Sequence, residues 1–326
     1  MTDPRPHPRP HPRPLLIDCD PGIDDAIALL LAFSMPEALE VTGITTVAGN
    51  VSLTSTSRNA MRVRGLAARP EVPVFAGCPR PMLAQPVFAD DVHGVDGLGG
   101  VDLPGESGGL AARHGVDALV EQTADRSGLA VAAVGPLTNL AVALVKRPEV
   151  ARRIDTLVVM GGGLAHGNIT PAAEFNVFFD PEAARTVVEA GLRPVLVPLD
   201  ATHSAPVTAA MIDELAACGE GVAPEAAALL RAYHANVGTD RPGAYVHDAM
   251  ALAVLVWPEL FERRPARLEV RTDAGPERGR TVADFASSEP NAEVVVGLDA
   301  PAFLERLFAR LRGFPRSVPA GDRIPA

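Results

Sequence analysis

Short apolar segments of strand length alternate with segments of helical apolar spacing along most of this chain. The strand-like segments are residues 15–18, 41–47, 129–134, 156–160 and 194–200, and helical spacing is found at 24–33, 52–66 and 137–146. Strands that are apolar at every position are buried on both faces, which is typical of a parallel sheet covered by helices on both sides. Residues 266–298 are also β-rich and predict edge strands or an antiparallel excursion, and residues 300–312 predict a closing amphipathic helix. The pattern therefore predicts an α/β protein with a Rossmann-like, mostly parallel sheet.

The sequence indicates a single domain with a tail at each end. It shows no internal repeat and no linker, so we expect the domain to span residues 15–314. Residues 4–14 carry proline at every second position, which removes amide donors and fixes φ. Residues 1–14 are therefore expected to form an extended or disordered tail, and residues 315–326 a short C-terminal one.

Composition excludes several classes of partner. The 326 residues carry a formal net charge of −11, which is the wrong sign for binding a phosphate backbone or an anionic membrane. The three cysteines are widely spaced and predict neither a disulfide framework nor a zinc site, which fits a reducing compartment. No apolar run approaches the roughly 20 residues that span a bilayer. We therefore expect a cytoplasmic protein whose partner is a small molecule, with no nucleic-acid or membrane partner.

Four carboxylates are concentrated in the sequence DCDPGIDD at residues 18–25, where a predicted strand gives way to a helix. Asp24 and Asp25 alone would be ordinary in the first turn of a helix, because the helix dipole favours acids there. Asp18 and Asp20 need another explanation, since like charges this close raise one another's pKa unless a cation neutralises them. An all-oxygen ligand set favours Ca²⁺ or Mg²⁺ over zinc. The sequence therefore predicts a hard-cation site at the carboxyl end of a parallel strand, where ligands bind in such sheets.

Two other acidic signatures fit this cluster less well. An EF-hand loop counted from Asp18 would need an acid or amide where Gly22 stands and glutamate where Leu29 stands. A phosphatase of the haloacid dehalogenase type also begins with a strand followed by Asp-x-Asp, which Asp18 and Asp20 satisfy. That class expects threonine or valine in place of Gly22, and no downstream lysine-plus-acid pair stands near a strand end. This phosphatase remains an alternative function.

The segment LLIDCDPGIDDAIALLLAF at residues 15–33 resembles the N-terminal motif of the inosine-uridine nucleoside hydrolases. Five further segments resemble motifs of that family in order, namely TTVAGN at 45–50, AVGPLTNLA at 133–141, VVMGGG at 158–163 followed by GN at 167–168, AEFN at 173–176 and VHDAMA at 246–251. The resemblance covers about residues 15–312 and implies Ca²⁺-dependent hydrolysis of ribonucleosides to ribose and free base. It also implies a homo-oligomer, commonly a dimer or tetramer.

The resemblance also implies a role for individual residues. The implied metal ligands are Asp20, Asp25, Asp248 and the backbone carbonyl of Val134. Asp20 would in addition activate the attacking water at the metal, and His247 would protonate the leaving base. The implied substrate contacts are Asp24, Asn50, Met160, Asn168, Glu174, Phe175 and Asn176, with His93 as a candidate contact in a glycine-rich loop that resembles the family's flap. Residues 231–246 are expected to shape the base pocket.

These residue types suit the chemistry of an N-glycosidic bond. Its hydrolysis builds positive charge on the ribose and negative charge on the departing base, and a cluster of carboxylates stabilises the first of these. A histidine can neutralise the negative charge on the departing base by donating a proton, because its pKa lies close to neutral pH. A non-catalytic nucleoside-binding protein on the same fold is the remaining alternative. The joint presence of Asp20 and His247 argues against it, because binding requires neither a general base nor a general acid.

Overall fold

The computed structural model describes residues 11–103, 108–238 and 242–316 of the chain. Within these residues the strands are β1 (Arg13–Cys19), β2 (Leu39–Thr46), β3 (Val74–Ala76), β4 (Ala130–Ala133), β5 (Thr156–Met160), β6 (Val195–Val197), β7 (Phe261–Val270), β8 (Thr281–Asp284) and β9 (Ala292–Leu298). The helices are α1 (Ile23–Phe33), α2 (Leu53–Leu66), α3 (Asp90–His93), α4 (Gly115–Asp125), α5 (Thr138–Lys146), α6 (Val150–Arg153), α7 (Phe175–Phe179), α8 (Pro181–Glu189), α9 (Leu199–Thr202), α10 (Ala209–Ala217), α11 (Ala223–Val237), α12 (His247–Val256) and α13 (Ala300–Gly313). A single 3₁₀ turn at Pro258–Leu260 precedes β7.

The strands form one nine-stranded sheet in the described part of the chain, in the order β3-β2-β1-β4-β5-β6-β9-β7-β8. The seven strands from β3 to β9 in this order are parallel, and β7 then runs antiparallel to both β9 and β8. The predicted α/β fold with a mostly parallel sheet is therefore confirmed. The antiparallel excursion expected in residues 266–298 is present as well, although β9 lies inside the sheet because it also pairs with β6.

Helices bury both faces of the sheet, and this explains why its strands are apolar at every position. On β1, Leu15 and Ile17 face one layer, which includes α1, α11 and α12. Leu16 faces the opposite layer, in which α4, α5 and α8 pack. Because side chains alternate along a strand, one strand supplies core residues to both layers. The carboxyl ends of the central strands therefore emerge at one edge between two packed layers.

The observed element boundaries differ from the expected ones at two places. Strand β1 begins at Arg13, inside the segment assigned to the N-terminal tail, and Arg13 and Pro14 pair with Leu39 and Glu40 of β2. Most of the expected tail, residues 1–10, lies outside the described residues. Strand β6 ends at Val197, and the chain turns at once into α9 instead of continuing to residue 200. In the described residues, no helix combines the length and apolarity required to cross a membrane.

Candidate active site

The carboxyl ends of β1, β2, β4 and β5 meet at one edge of the sheet, where a cavity opens. The N-termini of α1 and α12 reach the same cavity from the side. Its lining residues are Asp24, Asn50, Ala89, Asp91, Val92, His93, Val134, Met160, Asn168, Ile169, Glu174, Phe175, Asn176, His203, Tyr233, Val237, His247 and Asp248. The lining therefore brings together all of the predicted substrate contacts with Val134, His247 and Asp248. Asp20 and Asp25 lie directly behind this lining.

Asp18 supports the site from behind the cavity. Its Oδ1 atom accepts hydrogen bonds from Thr45 Oγ1 at 2.6 Å and from Asn139 Nδ2 at 2.8 Å, and the side chain is fully buried. Burial raises the pKa of the Asp18 carboxyl to about 6, and the two hydrogen bonds oppose that shift. Asn139 also donates to the carbonyl of Thr46 at 3.0 Å, so its amide joins the ends of β1 and β2.

Asp20 is held in a narrow slot between backbone segments. Its Oδ2 atom accepts the backbone N–H of Asn50 at 2.7 Å, and the Asn50 side chain donates to the Asp20 carbonyl at 3.2 Å. The Oδ1 atom is buried and has no hydrogen-bond partner in the described residues. A Cβ atom added at Gly49 or at Gly135 would collide with this carboxylate, so the chain approaches it from both sides. Burial, followed by the charge of Asp25, raises the pKa of Asp20 well above its usual range.

Asp24, Asp25 and Asp248 form a group whose carboxylate oxygens lie within 4.8 Å of one another. Asp25 is fixed by the backbone N–H of Gly22 at 2.9 Å and by the Asn50 side chain at 3.0 Å. Burial raises the pKa of Asp25 to about 6. Burial, followed by the charges of neighbouring aspartates, raises the pKa values of Asp24 and Asp248 well above their usual range.

This arrangement fits a hard cation. None of the described residues that line the cavity is lysine or arginine, so no basic side chain neutralises the aspartates there. The possible ligand atoms of the aspartate group are all carboxylate oxygens. In the described residues, the Oδ1 atom of Asp20 is also buried and accepts no hydrogen bond. Oxygen donors of this kind are the preferred ligands of Ca²⁺ and Mg²⁺. Asp24 belongs to the tight group although the resemblance placed it with the ribose, whereas Asp20 lies outside that group.

The opposite wall of the cavity is built from the segments that follow β5. Glu174 caps α7 by accepting the backbone N–H groups of Asn176 at 2.8 Å and Val177 at 3.1 Å. The Asn176 side chain donates to the carbonyls of Val134 at 2.9 Å and Met160 at 3.3 Å. Burial raises the pKa of Glu174. These bonds connect the ends of β4 and β5 to α7.

Asn168 and Phe175 extend this wall. The Asn168 side chain accepts the backbone N–H of Phe175 at 2.8 Å. The Phe175 ring packs against the ring of Phe179, with their centroids 6.0 Å apart. The loop that carries Asn168 and the start of α7 are therefore fixed to each other.

His247 occupies the first position of α12, next to Asp248. Its Nδ1 atom lies 2.7 Å from the hydroxyl of Thr202, which is fully buried at the end of α9. The rings of His203 and Tyr245 flank the His247 ring, with centroids 5.5 Å and 5.7 Å away. Thr202 therefore fixes the ring at Nδ1, and the Nε2 atom lies on the opposite side of the ring.

His93 approaches the site from the other side, as the last residue of α3. Its Nδ1 atom accepts the backbone N–H of Ile23 at 3.1 Å and lies 4.0 Å from Asp24 Oδ1. Burial lowers the pKa of His93 to about 4, so the ring is neutral at neutral pH. The Tyr233 ring packs beside it at 5.7 Å. A neutral imidazole that accepts at Nδ1 carries its proton on Nε2.

Comparison with known proteins identifies the family of the chain. A family model for inosine-uridine preferring nucleoside hydrolases matches residues 15–305. The chain belongs to this family. It is accordingly an N-glycosyl hydrolase of ribonucleosides, and the resemblance stated from the sequence is confirmed.

One relative found by sequence and two solved structures resemble this nucleoside hydrolase over nearly its whole length. The pyrimidine-specific ribonucleoside hydrolase RihA of Salmonella gallinarum is 39% identical over 305 residues, which is 91% of this chain and 98% of that protein. The purine-preferring ribonucleoside hydrolase of Gardnerella vaginalis has a solved structure that superposes with a TM-score of 0.87 at 30% identity, covering 93% of this chain and 99% of the other. A plant nucleoside hydrolase, PpNRh1, has the same TM-score at 29% identity, with the same coverage of both chains.

Sequence reasoning missed several parts of this nucleoside hydrolase site. His203 lines the cavity, although it carried no signal beyond its position after a predicted strand. Tyr233 and Val237 of α11 line it too, inside the stretch expected to shape the base pocket, of which residues 239–241 lie outside the described residues. Asp200 is the last residue of the segment 194–200 that was expected to form a strand. Its carboxylate instead accepts the backbone N–H groups of Leu164 and Ala165.

Proposed function

We propose that this protein uses Ca²⁺ to hydrolyse the N-glycosidic bond of ribonucleosides, with Asp20 as general base and His247 as general acid. The observation that carries the proposal is one cavity that holds clustered buried carboxylates together with a histidine whose ring is fixed by Thr202. The reaction needs both, because positive charge develops on the sugar while the base departs with negative charge.

The cation would be held by Asp20, Asp25, Asp248 and the backbone carbonyl of Val134. When bound, Ca²⁺ would supply the positive charge that lets several aspartates ionise together and would help to orient the attacking water. The three carboxylates within 4.8 Å and the unpartnered Oδ1 of Asp20 support an ion at this place. Asp24 is close enough to share in the site or to contact a ribose hydroxyl.

Asp20 is the residue best placed to take a proton from water. Its Oδ2 atom is occupied by the Asn50 N–H, while Oδ1 is free of hydrogen bonds to the described residues. The raised pKa of this carboxyl makes it a stronger base than an exposed aspartate once it is ionised. Asp18 lies farther from the clustered carboxylates and is bound by Thr45 and Asn139, so it positions the end of the strand.

Ribose hydroxyls require fixed polar partners in a buried site. Asn50, Asn168, Glu174 and Asn176 are each held by backbone hydrogen bonds of the site, and this pre-organisation lowers the entropic cost of binding a sugar. Met160 and Phe175 add apolar lining beside them. We assign the ribose subsite to these residues together with Asp24.

His247 would donate a proton to the leaving base through Nε2. Thr202 fixes the ring from the other nitrogen, and Tyr245 and His203 restrict its rotation. His93 and Tyr233 lie on the side of the cavity where a base attached to this ribose would extend. The neutral His93 ring can donate a hydrogen bond there without bringing a charge.

Substrate profiling tests the proposal directly. Purified protein with Ca²⁺ is incubated with inosine, adenosine, uridine and cytidine, and ribose and free base are measured as products. Release of ribose with at least one of the four supports the proposal, whereas tight nucleoside binding without products would favour the non-catalytic alternative. Phosphate release from a phosphomonoester such as p-nitrophenyl phosphate would favour the phosphatase alternative. Homo-oligomeric assembly and a cytoplasmic location remain predictions of the sequence.

A further inference from the structure

Asn59 of α2 connects two segments that are distant in sequence and that both border the active site. Its Nδ2 atom donates to the carbonyl of Pro21 at 2.9 Å and to the carbonyl of Asp96 at 2.8 Å. Pro21 lies in the carboxylate loop, residues 18–25, and Asp96 lies in the flap, residues 90–101. The Asn59 side chain is fully buried, so it belongs to the interior between these segments.

The orientation of the Asn59 amide follows from its surroundings. Two carbonyl oxygens can be satisfied only by the NH₂ group, because the flipped amide would place an oxygen against both. The Oδ1 atom is buried and has no partner among the described residues. A residue that needed only to fill space would not leave a polar atom unpaired there, since each such atom costs roughly 1–3 kcal/mol. The arrangement is therefore built around the two donated hydrogen bonds.

The flap is organised around the residue that Asn59 binds. The Asp96 side chain accepts the backbone N–H groups of Leu98 at 3.0 Å and Gly100 at 3.1 Å. Leu98 is fully buried in the same core cluster as Ile23 of α1. Gly97 has φ of +82°, and a Cβ there would lie 2.8 Å from the Asn59 amide nitrogen, so the flap backbone passes directly over Asn59. A chain of hydrogen bonds thus runs from Pro21 through Asn59 and Asp96 to Leu98 and Gly100.

We propose that Asn59 is a positioning residue that couples cation binding at the carboxylate loop to closure of the flap. Pro21 follows Asp20 directly and precedes Asp25 by four residues, so a cation that orders those two carboxylates also fixes the Pro21 carbonyl. The amide of Asn59 passes this order to Asp96 and on to residues 97–100. The coupling makes closure of the flap over a substrate more favourable when the cation is present.

A second contact of the flap provides a matched control. The Asn236 side chain of α11 donates to the carbonyl of Val92 at 3.0 Å, and it touches the flap without touching the carboxylate loop. Asn236→Ala therefore loosens one end of the flap while leaving the path through Asn59 intact. His93 contacts Ile23 of α1 as well, but that contact lies at the start of the flap. The Gly99 amide donates to the His93 carbonyl at 2.7 Å and so reports on that contact. The amides of Leu98 and Gly100 donate to Asp96 and are the ones that report on Asn59.

Backbone hydrogen exchange of the full chain, with and without saturating Ca²⁺, tests the coupling. In the wild-type protein Ca²⁺ is expected to slow exchange at Leu98 and Gly100 by about threefold or more. Asn59→Leu keeps the branched shape of the side chain and removes both donated hydrogen bonds, so Ca²⁺ should then slow exchange in residues 18–25 only. Asn59→Ala serves the same purpose if leucine does not fit. Asn236→Ala should retain the Ca²⁺ effect at Leu98 and Gly100.

The inference rests on the Ca²⁺ site proposed above, and the experiment separates the two. Calorimetric titration with Ca²⁺ first shows that each variant is saturated. Calcium binding to the wild type without slower exchange in the flap would overturn the coupling and leave the site intact, as would an Asn59 variant that keeps the slowing. Absence of Ca²⁺ binding would overturn both. The measurement uses no nucleoside, so it is independent of the hydrolysis assay.

Discussion

The Nδ1 atom of His247 lies 2.7 Å from the hydroxyl oxygen of Thr202, and both residues are buried beside the cavity. Thr202 ends α9, a four-residue helix that forms where β6 was expected to continue. This contact holds the Nδ1 side of the His247 ring in place. Because Asp248 follows His247 on α12, the same helix start also carries one of the clustered carboxylates.

The first prediction concerns the leaving group. His247→Ala should lower kcat/KM for inosine or uridine by about 10²–10⁴-fold, because the departing base loses its proton donor. The loss should be much smaller with p-nitrophenyl riboside, since nitrophenolate leaves without a proton. Thr202→Val should show a weaker form of the same difference. Equal losses of transition-state free energy on both substrates would show that His247 acts on the ribose or on folding instead.

Asp20 should behave differently, because it is proposed to serve the sugar and the water rather than the base. Asp20→Asn should lower kcat on nucleosides and on p-nitrophenyl riboside alike, by about 10³-fold or more. Asp102→Asn is the matched control, since that carboxylate is 98% exposed and pairs only with Arg62 in the described residues. A substantial rate for Asp20→Asn on either substrate would move the general-base role to another carboxylate.

Activity should depend on a bound hard cation. Exhaustive chelation, verified by elemental analysis, should remove activity, and added Ca²⁺ should restore it with about one ion per chain. Because the ion binds only the folded aspartate group, Ca²⁺ at one hundred times its Kd should also stabilise the folded protein by about 3 kcal/mol. This stabilisation should appear as a higher melting temperature. Full turnover of the verified metal-free protein would contradict this prediction.

The buried carboxylates give the metal-free protein an unusual pH dependence. Asp18 and Asp25 have folded pKa values of about 6 against an ordinary value of 3.8, so the folded state holds more protons than the unfolded state between these values. Stability contributed by these groups is therefore lost as pH rises through about 4 to 6.

His93 acts in the opposite sense, because its pKa of about 4 lies below its ordinary 6.5. His93 is a single group, whereas the pKa values of both Asp18 and Asp25 are shifted by a similar amount in the other direction. The pKa values of three further carboxyls are also raised, namely those of Asp20, Asp24 and Asp248. The melting temperature of the metal-free protein should thus fall by several degrees between pH 5 and pH 7.5. Saturating Ca²⁺ should largely remove that fall. A melting temperature that rises over this range without metal would contradict the burial of ionised aspartates.

Truncation from the N-terminus should show a sharp boundary. Deleting residues 1–10 should leave folding and turnover unchanged, because these residues supply none of the elements described above. Deleting residues 1–14 removes the start of β1, where the Arg13 backbone N–H donates to the Ala38 carbonyl at 2.8 Å. The longer deletion should lower the melting temperature by several degrees. Thermal denaturation of both truncated proteins beside the full chain measures the difference.

Local pattern was sufficient to place the central strands and the residues at their ends. Continuous apolarity located β1 and β5, and the acids directly after β1 could be recognised because a strand end cannot bury four charges without a partner. Residues whose role depends on long-range packing could not be recognised in this way. After β6 ends at Val197, His203 lines the cavity and Thr202 contacts His247 beside it. Asn59 is a polar residue on an ordinary helix until the fold brings residues 21 and 96 to it.

Asp24 and Asp248 stand at the starts of α1 and α12, whereas Tyr233 and Val237 stand on α11 and His93 in the flap. These two groups share the apolar layer that includes α1, α11 and α12, and hydrogen bonds of His93 and Asn59 also connect the flap to the turn after β1. Tyr233 and Val237 line the cavity without belonging to the carboxylate group. We therefore expect substitutions of these two residues to change which base is accepted while the proposed catalytic residues stay in place. The range of nucleosides that the protein accepts can then change by single substitutions. An engineer seeking a new specificity should begin at Tyr233 and Val237.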